Sequence, residues 1–234
     1  MQSLATPFKR FWPVPCAFCD APDVPGRICD RCRRILPWND VSCERCGQPV
    51  PSEQPAGVTC ADCQQHPPPF AKARAPLLYD FPVDAALKAI KFRAQLWYAP
   101  AFAGLLLKTI RAEFADADAL IPVPLHHWRH VKRGFNQAYE LCRPLTRASG
   151  VRISNAAARI RATPSQAGLS AKERTRNMRR AFKVRGKLDC RHPLIIDDVI
   201  TTGATCNQLA EELLRAGADS VAVLAVAHAR SPRM

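Results

Sequence analysis

Leu194-Ile195-Ile196-Asp197-Asp198-Val199-Ile200-Thr201-Thr202-Gly203-Ala204-Thr205 is the stretch that decides the fold class. Three apolar residues after Pro193 suit a strand buried on both faces, two acids end it, and small hydroxyl and glycine residues then open a helix. Ligands of open parallel sheets bind at such strand ends. Thr201, Thr202, Gly203, Ala204 and Thr205 can turn tightly and aim backbone N–H groups at an anion beside the positive end of the next helix. Asp197 and Asp198, one step upstream, are acceptors suited to the vicinal hydroxyls of a ribose and to a hydrated Mg2+. Together these residues describe a ribose 5-phosphate site. The plainer alternative is an acidic turn before a helix capped by Thr205, and the run of hydroxyls and glycine weighs against it.

Working outward, the periodicity predicts helices over Asp84 to Phe92 and Pro100 to Phe114, the second with Leu105, Leu106 and Ile110 inward. Ala119 to Pro122 reads as a short buried strand. Asn136 to Ser149 reads as a helix ending at Gly150, and Val151 to Ile153 as a strand. A helix carrying Leu209, Leu213 and Leu214 ends at Gly217, and Val221 to Ala227 closes the pattern as a strand. Alternating strands and helices predict an α/β fold, a parallel sheet flanked by helices. The 234 residues allow one ordinary domain and something small, and 47% hydrophobic content supports a packed core. Pro67-Pro68-Pro69 marks the expected boundary between a cysteine-rich module, residues 1–69, and the α/β domain, residues 70–234. No apolar run approaches the roughly 20 residues needed to span a bilayer, and the N-terminal stretch around Lys9 and Arg10 has no apolar signal core. A cytoplasmic protein is therefore expected.

Eight of the eleven cysteines form four pairs, Cys16/Cys19, Cys29/Cys32, Cys43/Cys46 and Cys60/Cys63, each with two intervening residues. That spacing lets both sulfurs of a knuckle reach one tetrahedral metal, and eight thiolates complete two closed structural zinc sites. A disulfide framework suits an exported chain rather than this one. Sequential use of the pairs, the first four cysteines then the last four, is expected over an interleaved cross-brace. The module is short and proline-rich, so zinc supplies its folding free energy and it should unfold without metal. Cys142, Cys190 and Cys206 are unpaired by spacing and read as small buried hydrophobes.

A second informative segment runs from Ile121-Pro122-Val123-Pro124 to Lys132-Arg133-Gly134-Phe135-Asn136-Gln137. Lys132 and Arg133 beside a flexible Gly134 can grip a diphosphate, with the helix start at Asn136 adding its dipole. The alternative is a solvated basic face. His126, His127 and His130 have no carboxylate at ligand spacing, which argues against a metal site there. A third segment, Thr163 to Phe182, is polar, then strongly basic, then apolar, and carries Lys172, Arg174 and Arg176. Residues 1–69 hold seven basic and seven acidic residues, so the net charge of +14 belongs to the remainder. Arg129 to Arg191 alone contains seventeen basic and three acidic residues. Such a patch favours a polyanion, either one small phosphorylated ligand or single-stranded DNA, and Trp128 and Phe135 are aromatics available for stacking or for burial.

The 194–205 segment resembles the signature of type I phosphoribosyltransferases, which bind phosphoribosyl pyrophosphate (PRPP), and it lacks the Gly-Lys pair of an ATPase P-loop. The chain from Cys16 to about Ala229 resembles the ComF/GntX family. The resemblance rests on the cysteine pairs, Arg133-Gly134-Phe135-Asn136-Gln137, the Gln166 to Phe182 segment, and Ile196-Asp197-Asp198-Val199 with Thr201-Thr202-Gly203. It implies a type I phosphoribosyltransferase-like domain and a role in DNA uptake and the use of external DNA. It also implies that Mg2+-PRPP sits on Asp197, Asp198 and Thr201 to Thr205, with a mobile lid over the Thr163 to Phe182 segment. Two functions follow as expectations. One is a PRPP-binding and single-stranded-DNA-binding module that docks on a DNA-translocation machine. The other is a transferase in which Asp197, Asp198, Lys132, Arg133 and Arg174 serve attack by a nitrogen nucleophile.

Overall fold

A computed structural model describes residues 14–22, 24–55, 57–126, 128, 131, 133–161 and 181–230. Its centre is the strand β7, Pro193–Ile200, whose first four residues are fully buried as the apolar run predicts. β3, Ala119–Pro122, pairs parallel with β7 on one side, and β8, Ala222–His228, pairs parallel with it on the other. β4, Arg152–Ile153, lies outside β3. β1, Lys72–Arg74, and β2, Leu77–Leu78, pair with successive parts of β8, so the sheet is parallel throughout.

Buried apolar residues alternate between two cores, one on each face, as the pleat requires. Two short helices, α1, Asp30–Ile35, and α2, Ala61–Gln65, belong to the cysteine-rich part, and Leu120, Leu194, Ile196 and Leu224 face α3, Val83–Arg93, α4, Tyr98–Glu113, and α5, Gln137–Ser149. Ile121, Ile195, Val223 and Ala225 face α6, Ala204–Arg215. The expected helices and strands are present, with ends displaced by a few residues. α4 begins at Tyr98 because Pro100 falls in its first turn, where no intrahelical N–H is needed. α5 is capped by Asn136, whose side chain accepts a hydrogen bond from the Ala138 N–H at 3.0 Å, and ends at Gly150 in the left-handed region.

Outside the sheet, β5, Ala157–Arg159, and β6, Phe182–Val184, form a two-stranded antiparallel ribbon whose Phe182 is buried against the α6 face. Neither strand is legible in the sequence, because each has three residues and no apolar alternation of useful length.

The two cysteine clusters pack directly on this domain. Ile28, Leu36, Cys16 and Cys32 belong to the same core as Phe102 and Leu106 of α4, and the Phe18 ring meets Phe102 edge-on at 6.1 Å. The second cluster lies along β1. The Ala73 N–H donates to the Arg45 carbonyl at 2.9 Å, and Asn39 Nδ2 donates to the carbonyls of Gly47 and Ala75. Gly47 has φ +71°, and a Cβ there would lie 3.0 Å from the Ala73 carbonyl oxygen. Only glycine admits this approach. The hydrophobic core thus crosses the Pro67-Pro68-Pro69 junction without a gap.

Candidate functional site

Sheet order places a topological switch point between β3 and β7. The chain leaving β3 passes through α5 to β4 on one side, whereas the chain leaving β7 passes through α6 to β8 on the other. The two connections diverge, and the crevice outside these carboxyl ends is where open α/β sheets take ligands.

Asp197, Asp198 and the Thr201-Thr202-Gly203 turn stand at that crevice. The sequence reading ends the strand at the two acids, but β7 runs on to Ile200, because Val199 and Ile200 continue the pairing with Ala227 and His228 of β8. Successive residues of a strand point to opposite faces. Asp198 accordingly meets α5, where Gln137 Nε2 lies 3.5 Å from its Oδ2. Asp197 lies on the side of Arg159, whose charge acts on its carboxyl, and of Cys206 in α6, whose thiol feels the Asp197 charge. Each carboxylate also accepts a local backbone N–H: Asp198 N–H to Asp197 Oδ1 at 2.8 Å, and Val199 N–H to Asp198 Oδ1 at 3.0 Å. Burial and the adjacent Asp198 charge raise the Asp197 carboxyl well above the usual carboxylate range, with Arg159 opposing the shift. Burial and the same two acids raise the Cys206 thiol, consistent with an inert buried side chain.

Thr201 and Thr202 are exposed, and Gly203 takes φ +69° at the N-cap of α6. No side chain caps this helix, and Thr205 lies inside its first turn rather than at the cap, which removes the plain capping alternative. The first-turn N–H groups are thereby presented to an anion.

On the β3 side, Arg133 Nη1 donates to Gln137 Oε1 at 2.5 Å, so Arg133 and Asp198 are linked through the buried Gln137. Lys132, Arg174, Lys172 and Arg176 lie outside the described residues, as do His127 and His130. Trp128 is 74% exposed, whereas Phe135 packs partly against the core. A cleft of about 550 Å³ opens between the segment after β3 and the β5–β6 ribbon, with Phe135, Tyr139, Arg159 and Arg185 on its walls. Arg159 also stacks over the Phe182 ring at 5.6 Å. Opposite, beyond β8, Lys88 Nζ pairs with Asp84 Oδ2 at 2.7 Å and lies 5.8 Å from the Tyr79 ring centroid. Sequence reasoning missed Arg159, the bridging role of Gln137, and Tyr79. Arg159 belongs to the basic stretch already noted, but its place depends on a ribbon with no sequence signal.

The cysteine pairs assemble sequentially into Cys16, Cys19, Cys29 and Cys32, and Cys43, Cys46, Cys60 and Cys63, with all four sulfurs of each set within 4.8 Å of one another. Cys19 and Cys29 Sγ lie 3.6 Å apart, and Cys46 and Cys60 Sγ 3.8 Å apart. Tetrahedral zinc with bonds of about 2.3 Å places its sulfurs at about this separation. Backbone N–H groups of Cys29 and Cys60 point at Cys16 and Cys43 Sγ, at 3.5 and 3.3 Å, the outer-shell support expected around thiolates. All eight ligands come from the protein, so the two zinc ions are structural.

Residues 8–64 match the double zinc ribbon domain family. The chain is 37% identical to the DNA utilization protein YhgH of Escherichia coli O6:H1, over 89% of this chain and 94% of that protein. It is 30% identical to Competence protein F of Haemophilus influenzae, over 86% and 90% of the two chains. The chain belongs to the ComF/GntX family. A more distant member, Competence protein ComFC of Bacillus subtilis, is 26% identical over 82% of this chain and 79% of its own. As a ComF/GntX protein the chain is a competence or DNA-utilisation protein, and among its described residues no helix is long and apolar enough to cross a membrane.

Proposed function

We propose that the switch-point site binds Mg2+-PRPP and that the protein handles incoming single-stranded DNA on its basic face, docked on a DNA-translocation machine. The observation that carries the ligand assignment is the pair Asp197 and Asp198 immediately before an uncapped helix start at Gly203. The first-turn N–H groups of α6 and the Thr201 and Thr202 hydroxyls take the 5-phosphate, and the two carboxylates accept hydrogen bonds from the ribose hydroxyls. Mg2+ fits the donor set, because the two adjacent carboxylates Asp197 and Asp198 offer the oxygen ligands that would hold a hydrated divalent cation. When bound, it supplies positive charge to the diphosphate. Arg133, with Lys132, takes the diphosphate on the β3 side, and the segment bearing Arg174 covers it. The DNA role rests on the charge of Arg129 to Arg191 and on the DNA-related names of the relatives.

The second reading, transfer of ribose 5-phosphate to a nitrogen acceptor, is favoured by one feature. Tyr79 and Lys88 stand beyond β8, across β7 from Arg133, which is the side from which a nucleophile approaches opposite a departing diphosphate. Asp197 and Asp198 then fix the ribose while Arg133 stabilises the leaving charge. Calorimetry of the zinc-loaded chain with PRPP, with and without Mg2+, tests the site, with Asp197→Asn/Asp198→Asn as control. Mg2+-dependent heat lost in the double variant is expected, and no heat from the parent protein would sink the reading.

A further inference from the structure

A cleft beside the switch point is not used by the PRPP contacts proposed above. Its volume, about 550 Å³, falls in the range of pockets that hold one small ligand. Its two walls differ in chemistry. One, from α5 and the residue before its cap, presents the Phe135 and Tyr139 rings, and Tyr139 is 36% exposed although it sits on a helix. The other presents Arg159 of β5 and Arg185 just after β6, and Arg185 is exposed. Aromatic rings against a basic rail are the combination by which single strands are held, bases stacked and phosphates neutralised. Glu140, also on the lining and paired with Arg143 at 3.3 Å, repels phosphate from the α5 wall and so sets the base toward the rings and the backbone toward the ribbon.

We propose that this cleft holds one nucleotide of single-stranded DNA, its base against Tyr139 and Phe135 and its flanking phosphates on Arg159 and Arg185. The proposal rests on the DNA half of the function above and gives it a place. The cleft begins at the end of β3, where Pro122 pairs with Ile196 of β7, one residue before Asp197, and so lies next to the switch-point site.

Fluorescence anisotropy with a labelled 12-nucleotide oligo(dC), on the zinc-loaded full chain, tests this. Tyr139→Ala should weaken binding at least about fivefold, the effect of losing one base stack. Arg185→Ala should weaken it more than Arg147→Ala, which removes the same charge from an exposed position on α5 away from the cleft. Unchanged melting temperatures keep these effects local, and PRPP heat measured on the same variants keeps the two readings apart. Equal losses from Arg185→Ala and Arg147→Ala, with none from Tyr139→Ala, would overturn the cleft in favour of a diffuse basic face. Failure of the parent protein to bind the oligonucleotide at low salt would overturn it too, whether or not PRPP binds.

Discussion

Asp197 shows how a binding site sets itself against stability. Its carboxyl is raised by burial and by Asp198, so the folded protein holds a proton there that the unfolded chain has already released. Between the ordinary carboxylate range and the raised value the native state binds more protons. Stability is therefore fully present below that range and declines as pH rises through it. Asp197→Asn should abolish Mg2+-dependent PRPP binding yet stabilise the fold, by about 0.5–2 kcal/mol, and the gain should grow from pH 5 to pH 8. Urea unfolding at the two pH values checks this, and a destabilised variant at pH 8 would contradict it. His228 has the opposite sign. It is 3% exposed, donates Nδ1–H to the Ala229 carbonyl at 2.7 Å when neutral, and is held below the ordinary histidine range by burial. Its contribution is present above that range and lost as pH falls below it. His228→Gln should therefore flatten the loss of stability between pH 7 and pH 5.

Elements differ in how far the sequence announces them, and the reason is burial. β7 is buried on both faces, so Leu194, Ile195 and Ile196 stand as an unbroken apolar run, and α4 shows Leu105, Leu106 and Ile110 at helical spacing. Cysteine pairs are legible for a different reason, since metal geometry constrains spacing directly. β1 and β5 carry Lys72-Ala73-Arg74 and Ala157-Ala158-Arg159, and nothing in those triplets distinguishes strand from loop. They form because a neighbour supplies the other half of each ladder, β8 for one and β6 for the other. The acids of the site were legible and their opposite orientations were not, because the strand's true end at Ile200 depends on pairing with β8. Packing at α4 yields a quantitative expectation: Leu106, fully buried between the first cysteine cluster and the sheet, should cost about 2–5 kcal/mol when replaced by alanine, measured by urea unfolding.

At the scale of the whole molecule the two zinc ribbons are unequal. The first supplies Cys16, Ile28, Cys32 and Leu36 to the core that α4 shares with the sheet, whereas the second lies along an edge and is tied to it mainly by backbone contacts at Arg45 and Gly47. Metal loss at the first removes a wall of the core, and metal loss at the second uncovers β1 and leaves its neighbours in place. Cys32→Ser should therefore lower the melting temperature of the entire chain in one cooperative transition. Cys60→Ser should leave the α/β domain folded but more prone to associate through the uncovered edge. Each variant should retain one of the two zinc ions by elemental analysis. Circular dichroism melts and light scattering on the two proteins separate these outcomes. Equal destabilisation by both substitutions would show that the second ribbon is as deeply built into the core as the first, and a folded, unaltered Cys32→Ser protein would show that Phe102 and Leu106 need no cover from the first.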